Sequence, residues 1–281
     1  MKDDLLGRSY DALLAGAKGV LSSTCYDASG YAPCWRENLL ASLPLSKIGD
    51  DYKPGAGAEL RGKLRAAHSS AAIVINTFGP WRDNPAGLRV AGLVDFRSLR
   101  FEVKCPSGLA GTPPHVDLLA EGKTLLAVES KCTEWMRPKQ ASFSKSYDDL
   151  VSRFGWSPWF TQLRVLRKDP WRYGYVDAAQ LIKHAFGLLN TYGAEREILL
   201  LYLYWEPLNH DQWPECARHR EQADRLTRAV AESKVRLVTL SYHELWTTWH
   251  GPNAPAHLDW LRARYDRRVA APPETCKALL K

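Results

Sequence analysis

The sequence has no pair of cysteines at the C-x2-C spacing that zinc knuckles and zinc ribbons require. The spacing therefore argues against a structural zinc site. The six cysteines lie far apart in the chain: Cys25, Cys34, Cys105, Cys132, Cys216 and Cys276. Because free cysteine packs as a small hydrophobic side chain, we expect these thiols to be reduced and mostly buried.

The sequence also lacks an internal repeat, a low-complexity tract and a long Pro/Gly/Ser-rich linker. Residues 1–20 contain acids and bases and no sustained apolar run, which matches neither a signal peptide nor a membrane-spanning helix. We expect a cytoplasmic protein that does not bind membranes. Gly55 and Gly57 do not indicate a dinucleotide-binding loop, because no predicted strand precedes them and no third glycine follows at the required distance.

The composition is that of an ordinary globular protein with an excess of basic side chains. The 281 residues are 45% hydrophobic and 25% charged, and the length fits one large domain. We expect a single domain over residues 1–281, with a core at about 55–205 between a helical N-terminal extension and an α/β C-terminal one. The net charge of +7 favours polyanionic partners, because basic side chains neutralise the phosphates of nucleic acids.

Three extended segments follow one another closely in the middle of the chain, at residues 99–105, 114–121 and 123–132. Their alternating pattern, rich in β-branched residues, and the turn at Gly122 predict a hairpin or meander. Residues 196–205 form a continuous apolar run of strand length. Such a run predicts a central strand that is buried on both faces of a mixed sheet.

Helices are predicted on both sides of these strands. Before the strands they cover residues 35–43, 59–68 and 69–80, with Ser69 as an N-cap and a turn-rich loop at 46–59. After the first three strands they cover residues 147–154, 159–167, 177–190 with Asp177 as a cap, 216–233, 243–250 and 257–265, with a further strand at 235–242. We therefore expect an α/β fold: an αβββαβ core with helices flanking a mixed sheet, and a C-terminal helix-strand-helix extension.

Two acids on neighbouring predicted strands are candidates for a metal site. Hydrolysis of a phosphodiester needs a cation that stabilises charge on phosphorus and generates hydroxide near neutral pH. Mg²⁺ is held by one or two carboxylates together with water and phosphate oxygens. Asp117 and Glu129 lie at similar distances from the turn at Gly122, so pairing of the two strands would place the acids opposite each other.

A lysine two residues after the second acid supports this interpretation. The strand period of two places Lys131 on the same face as Glu129, where its amine would hold the attacking water and offset charge on the phosphorane. The backbone carbonyl of Ser130 would add an oxygen ligand for the metal. The alternative is an ordinary salt-bridge ladder of Asp117, Glu129 and Lys131 on an exposed face of the sheet.

Asp117 and Glu129-Ser130-Lys131 resemble the signature of the PD-(D/E)XK nuclease superfamily. The predicted αβββαβ order is also the core of that superfamily. Further blocks are similar to one bacterial family assigned as restriction endonucleases: GAGAEL, AHSSAAIVINTFGP, HVDLLAEG, AVESKCTE and DAAQLIKHAFGL. The sequence departs from the signature in one respect, since no proline directly precedes Asp117.

The resemblance implies further site residues. Members of the superfamily often carry an acid on the first core helix, and Glu59 occupies that position, with Glu102 as a lower-ranked rival. A polar residue often follows on the helix after the lysine strand, which implies substrate binding by Gln180 and Lys183. A structural role stays open for Glu59, because an acid at the start of a helix interacts favourably with the helix dipole. A structural role also stays open for Gln180 and Lys183, which would suit a solvated helix face. We expect His184 to pack or to form a hydrogen bond.

Together these residues predict an endonuclease that hydrolyses DNA with Mg²⁺, or with Mn²⁺ as an alternative, in restriction or defence. The predicted metal ligands are Asp117, Glu129, the Ser130 carbonyl and Glu59. The alternatives are a catalytically inactive nucleic-acid-binding protein of the same fold and a metal-free structural protein. The recognition sequence, the choice between DNA and RNA and between single and double strands, and the oligomeric state stay open. The biological role, which could be restriction, repair or mobile-element processing, also stays open. A homodimer would supply two active sites for cutting both strands.

Overall fold

The protein is described by a computed structural model over residues 4–53, 58–193, 196–251 and 254–270. At its centre is a five-stranded mixed sheet with the order β1-β2-β3-β4-β5. The strands are β1 (Ser98–Lys104), β2 (His115–Glu121), β3 (Leu125–Lys131), β4 (Ile198–Tyr204) and β5 (Val235–Ser241). β1, β2 and β3 pair antiparallel, whereas β3, β4 and β5 pair parallel.

Ten α-helices of the described residues flank the sheet. They are α1 (Leu5–Val20), α2 (Leu45–Tyr52), α3 (Ala58–Arg61), α4 (Ser70–Phe78), α5 (Leu150–Phe154), α6 (Pro158–Lys168), α7 (Ala178–Tyr192), α8 (Pro214–Ala229), α9 (Tyr242–Thr247) and α10 (Leu258–Tyr265). The order α4-β1-β2-β3-α7-β4 confirms the predicted αβββαβ core, and β5 of the predicted extension joins the same sheet. None of these helices combines the length and the hydropathy that a membrane crossing requires.

The hairpin of β2 and β3 brings the two candidate acids together. Its register pairs Leu118 with Val128. One step further along that register, Asp117 lies opposite Glu129. Because directly opposed residues of antiparallel strands project to the same face, the predicted pairing of the hairpin is confirmed.

β4 lies in the interior of the sheet, as its apolar sequence predicts. All seven residues of Ile198–Tyr204 are buried, and the strand pairs with β3 on one side and β5 on the other. A parallel strand covered on both faces exposes no side chains to solvent. Its position therefore explains its uniformly apolar composition.

The alternation of side chains along β3 assigns helices to the two faces of the sheet. Lys131 contacts Gln180, so α7 covers one face at this end of β3. Its neighbour Ser130 projects to the opposite face. There the Ser130 hydroxyl donates to the Ser70 carbonyl of α4 and lies 2.7 Å from the Tyr242 hydroxyl of α9.

Two helices beside β3 begin at the predicted N-caps. The hydroxyl of Ser69 accepts a hydrogen bond from the Ala72 amide, and the carboxylate of Asp177 accepts one from the Gln180 amide. Each bond satisfies an amide that has no partner within the first helical turn. These local bonds set where α4 and α7 start.

The predictions for the first fifty residues need correction. The sequence interpretation omits α1, whose buried positions recur at helical spacing and pack against α10. The helix predicted at residues 35–43 is wrong, because only the 3₁₀ turn Trp35–Asn38 forms. The buried Asn38 of that turn donates to the carbonyls of Leu64 and Ala66, so long-range bonds rather than a helical ladder fix this segment.

The loop predicted at residues 46–59 is also wrong over its first part, which belongs to α2. Ile48 and Tyr52, one turn apart, are buried beneath the sheet edge at β1, and this packing outweighs the turn-forming residues around them. Gly55 and Gly57 lie outside the described residues. The helix predicted at 59–68 is divided into α3 and the 3₁₀ turn Lys63–Arg65.

The described cysteines are free thiols. Cys105, Cys132 and Cys216 are buried, Cys34 is partly buried and Cys25 is exposed. The expectation of reduced, mostly buried thiols is confirmed for the three that lie in or beside the core elements. Cys276 lies outside the described residues.

Candidate active site

The candidate site lies at the end of the sheet where β2 begins and β3 ends. Asp117, Glu129 and Lys131 line one cleft there, together with Gln180 of α7. The cleft has a volume of about 550 Å³, which is within the usual range of about 300–1,000 Å³ for ligand pockets. The residues of the sequence motif therefore share one cavity, and the alternative of a ladder on an open sheet face does not describe them.

Lys131 is held between an acid of its own strand and a helix. Its Nζ donates to Oε1 of Glu129 at 2.5 Å and to Oε1 of Gln180 at 2.9 Å. The lysine side chain is 12% exposed and the glutamate side chain 2%. A charge this far from water is tolerated because an opposite charge and a second acceptor compensate for the lost hydration.

His184, one turn after Gln180, approaches the other oxygen of Glu129. Its Nε2 lies 2.8 Å from Oε2 of Glu129, which is an ion-pair distance when the imidazole is protonated. The two atoms are not aligned for a hydrogen bond, and the buried Nδ1 of His184 has no hydrogen-bond partner among the described residues. His184 is buried, as the sequence interpretation expects, but it also acts on the charge of the site.

The two opposed acids have different protonation behaviour. Burial raises the pKa of Glu129, but Lys131 and His184 outweigh burial and lower it to about 2. Burial and the Glu129 carboxylate raise the pKa of Asp117 well above 3.8, although Lys131 and the Ser130 amide, which donates to Asp117 at 2.7 Å, oppose the shift. Glu129 is therefore ionised, whereas ionised Asp117 is unfavourable unless another cation is nearby.

Three further acids line the same cleft: Glu59 from α3, Glu102 from β1 and Glu134 from the segment after β3. Glu102 lies in β1 between Phe101 and Val103, which pair with Leu118 and Val116 of β2, and Oε1 of Glu102 lies 2.8 Å from Nδ1 of His115. Burial is the main cause of the raised pKa of Glu59 and of Asp117, and the Glu102 carboxylate raises both further. Glu102 is thus close to both acids, and the choice between Glu59 and Glu102 as an additional ligand stays a prediction.

A family model described as Restriction Endonuclease associating with ARP matches residues 15–266 of the chain. The chain belongs to this restriction endonuclease family. Comparison with curated proteins and with solved structures finds no match. The matched region contains all five strands and every candidate site residue described above. Membership in the family links the chain to nuclease and defence functions.

The oxygen atoms at the candidate site fit a hard divalent cation. No three His, Cys, Asp or Glu side chains of the described residues converge closely enough to hold a metal by themselves. Mg²⁺ needs only one or two carboxylates in addition to water and phosphate oxygens. Within the described residues Oε2 of Glu129 accepts no hydrogen bond, although Nε2 of His184 lies 2.8 Å from it, and the neighbouring Asp117 is disfavoured as an anion. A cation bound beside Asp117 would stabilise the ionised form of this acid.

The two substrate-binding candidates on α7 are separated by the rotation of the helix. Gln180 lines the cleft and accepts from Lys131. Lys183 is not one of the residues that line it, and its Nζ lies 5.6 Å from the ring centroid of Phe143. The structure therefore brings Gln180 to the site and leaves Lys183 beside an aromatic ring outside it.

Several cleft residues were not identified from the sequence. Basic residues on the lining are Lys63, Arg137 and Lys139, and ring-bearing residues include Tyr10, Tyr31 and His68. Arg137 and Lys139 closely follow the motif lysine, so their proximity in sequence is a usable signal. The rings come from segments that are distant in sequence, and no local pattern indicates that they meet.

Proposed function

We propose that this restriction endonuclease hydrolyses the phosphodiester bonds of DNA in a metal-dependent reaction. The proposal rests on the convergence of Asp117, Glu129 and Lys131 at one cleft, with the lysine amine bonded to Glu129. An acid pair that can hold a cation, with an adjacent ammonium that can stabilise developing charge, supports phosphodiester hydrolysis. The basic residues Lys63 and Arg137 on the same lining suit a polyanionic substrate.

Lys131 acts as a cation rather than as a base. Burial lowers the pKa of its amine, but the carboxylates of Glu129, Glu134 and Asp117 outweigh burial and raise it. The amine therefore keeps its proton at neutral pH. It donates hydrogen bonds to the attacking water and to the phosphate oxygens on which charge develops, and it does not take a proton from that water.

Mg²⁺, with Mn²⁺ as an alternative, is the proposed cofactor. Asp117, Glu129 and the Ser130 carbonyl would hold it, with Glu59 or Glu102 as an additional acid. When bound, the cation offsets charge on the phosphate and makes a water molecule more acidic. Gln180, which is not a ligand in this proposal, orients the Lys131 amine.

Cleavage of supercoiled plasmid, linear duplex and single-stranded DNA tests the proposal. We expect cutting with Mg²⁺ or Mn²⁺ and none with EDTA. Lys131→Ala should reduce the rate about 100- to 1,000-fold, the usual loss for one group that stabilises developing charge, and should retain DNA binding. Lys123→Ala is the matched control, because Lys123 is exposed in the turn at the other end of the same hairpin.

Two results would reject the proposal. Protein that binds DNA but cuts none of the three substrates with either metal would instead support the inactive nucleic-acid-binding alternative. Equal cutting by wild type and Lys131→Ala would show that the assigned site is not the source of the activity. A homodimer stays a prediction, which sedimentation of the protein with and without DNA would test.

A further inference from the structure

Three rings form one wall of the cleft that contains the acids. Tyr10, Tyr31 and His68, here called the ring wall, line the same cavity as Asp117 and Glu129. The Tyr10 and His68 rings have centroids 4.0 Å apart and planes inclined by 32°, and Tyr31 meets the His68 ring edge-on at 6.1 Å. A contiguous aromatic surface therefore lies beside the proposed hydrolytic residues.

The backbone holds the ring wall in place relative to β3. Tyr31 pairs with Ala66 in an isolated β-bridge, which joins the segment after α1 to the segment before α4. His68 immediately precedes the N-cap of α4. The Ser70 carbonyl of that helix accepts a hydrogen bond from Ser130 at 2.9 Å. Ser130 lies between the motif residues Glu129 and Lys131 of β3. This hydrogen bond therefore connects the start of α4, next to His68, directly to the motif strand.

The ring wall is not part of the hydrophobic core. Its three side chains are partly exposed, whereas core rings such as Phe78 and Tyr242 are fully buried. Burial lowers the pKa of His68, although Glu134 opposes the shift, so the neutral imidazole is favoured at neutral pH. A neutral ring can pack against an aromatic ligand without the cost of desolvating a charge.

We propose that the ring wall binds a nucleobase that has left the duplex stack, next to the phosphate that is cut. This inference rests on the proposed nuclease function and adds a substrate class to it: DNA with a flipped or single-stranded base at the cleavage site. Every base has a π face, so stacking on aromatic side chains holds unstacked bases of any sequence. Leu6 and Ala66 add apolar surface to the same lining.

The charged residues of the lining suit the backbone of such a substrate. Lys63 comes from the same N-terminal part of the chain as the ring wall, and Arg137 comes from the segment after β3. The phosphates on either side of a bound base would be neutralised by these cations. A base that remains stacked in a duplex presents only its edges in the grooves, so its face is not accessible to the ring wall.

Binding measured in EDTA, where no cutting occurs, tests the inference. The probes are oligonucleotides of one sequence that carry 2-aminopurine: a single strand, a duplex with a mismatch at the fluorescent base, and a perfect duplex. Stacking on the rings should quench the fluorescence of the first two probes. We expect Tyr10→Ala and Tyr31→Ala each to weaken binding of these two probes about tenfold, as is usual for loss of one base-stacking ring, with much less effect on the perfect duplex.

Further variants separate stacking from folding. Tyr10→Leu keeps an apolar side chain on α1 but has no ring, so it should bind as weakly as Tyr10→Ala, whereas Tyr10→Phe should bind as wild type does. Tyr192→Ala is the matched control. Tyr192 is also partly buried, but it ends α7, about 18 Å along the helix from Gln180.

The two proposals fail separately. Wild-type affinity of folded Tyr10→Leu and Tyr31→Ala for the single strand would overturn the role of the ring wall, even in a protein that cuts DNA. Tyrosine-dependent binding in a protein that cuts nothing would reject the nuclease function and support the ring wall as a site for an unstacked base.

Discussion

Glu129 is an ionised carboxylate in the middle of a buried sheet. The residue as a whole is 1% exposed to solvent. An uncompensated charge at such a position costs several kcal/mol. Lys131 and His184 compensate for it, and Lys131 is held in turn by Gln180. These four side chains place polar and charged groups in a part of the protein that is otherwise largely apolar. Local costs of this kind often mark functional sites, which agrees with the proposed nuclease activity.

His219 makes the stability of the protein depend on pH. It is fully buried, its Nε2 lies 2.9 Å from the Tyr202 hydroxyl, and its ring stacks on Trp135. Burial and the nearby Arg220 lower its pKa from 6.5 to about 3. As the pH falls below 6.5, the unfolded chain binds a proton that the folded protein excludes. Stability is therefore lost as the pH falls through this window.

We expect His219 to reduce the free energy of unfolding by about 1 kcal/mol per pH unit below about pH 6. His219→Gln retains a polar partner for Tyr202 but no longer titrates, so the pH dependence should become less steep. Urea unfolding at a series of pH values measures the difference, with His250→Gln, at an exposed position, as the control. The same steepness in His219→Gln as in wild type would contradict this account.

At the scale of elements, the packing of α1 against α10 positions Tyr10 at the cleft. α1 packs against α10, and the two backbones lie close together at Gly16. A Cβ atom at Gly16 would lie 2.0 Å from the carbonyl oxygen of Arg264, whereas one at Gly19 of the same helix would meet no atom of the described residues within 4 Å. The absence of a side chain at Gly16 therefore sets the distance between the two helices.

We expect Gly16→Ala to destabilise the protein by about 1–3 kcal/mol, because α1 must move away from α10. Gly19→Ala is the matched change, and it should stabilise by up to about 1 kcal/mol because alanine favours the helix. Urea midpoints measure both effects. Equal shifts of the urea midpoint for Gly16→Ala and Gly19→Ala would refute the proposed close packing at Gly16.

At the scale of the whole molecule, the excess of seven positive charges acts through its distribution. Lys63 and Arg137 line the cleft. Arg228 is exposed near the end of α8, just before the chain enters β5, and so lies at the end of the sheet opposite the cleft. The position of a cation, rather than net charge alone, should therefore decide its effect on DNA binding.

Combined Lys63→Ala and Arg137→Ala substitutions should reduce the slope of log K against log salt by about 2, roughly one for each phosphate that is no longer neutralised. Arg228→Ala should change the slope much less, although it removes one positive charge as well. Fluorescence anisotropy of a labelled oligonucleotide in EDTA, over a salt titration, measures the slopes. A similar change in slope per removed charge for the double variant and for Arg228→Ala would indicate a non-specific effect of net charge.

Short-range patterns in the amino-acid sequence are sufficient to predict the strands that carry the motif. The apolar run of β4 predicts a buried central strand, and the turn at Gly122 sets the register that opposes Asp117 and Glu129. The two-residue period of β3 then places Lys131 beside Glu129. These relations hold within one or two neighbouring strands, so they could be derived before any packing was known.

Which distant residues share the cleft depends on the tertiary structure. It brings Gln180 to Lys131 and leaves Lys183 outside, because the rotation of α7 against the sheet selects one side of the helix. It also assembles Tyr10, Tyr31 and His68 from segments far apart in sequence. The physical reason is that helix rotation and long-range packing depend on the combined fit of many side chains, which no local pattern specifies.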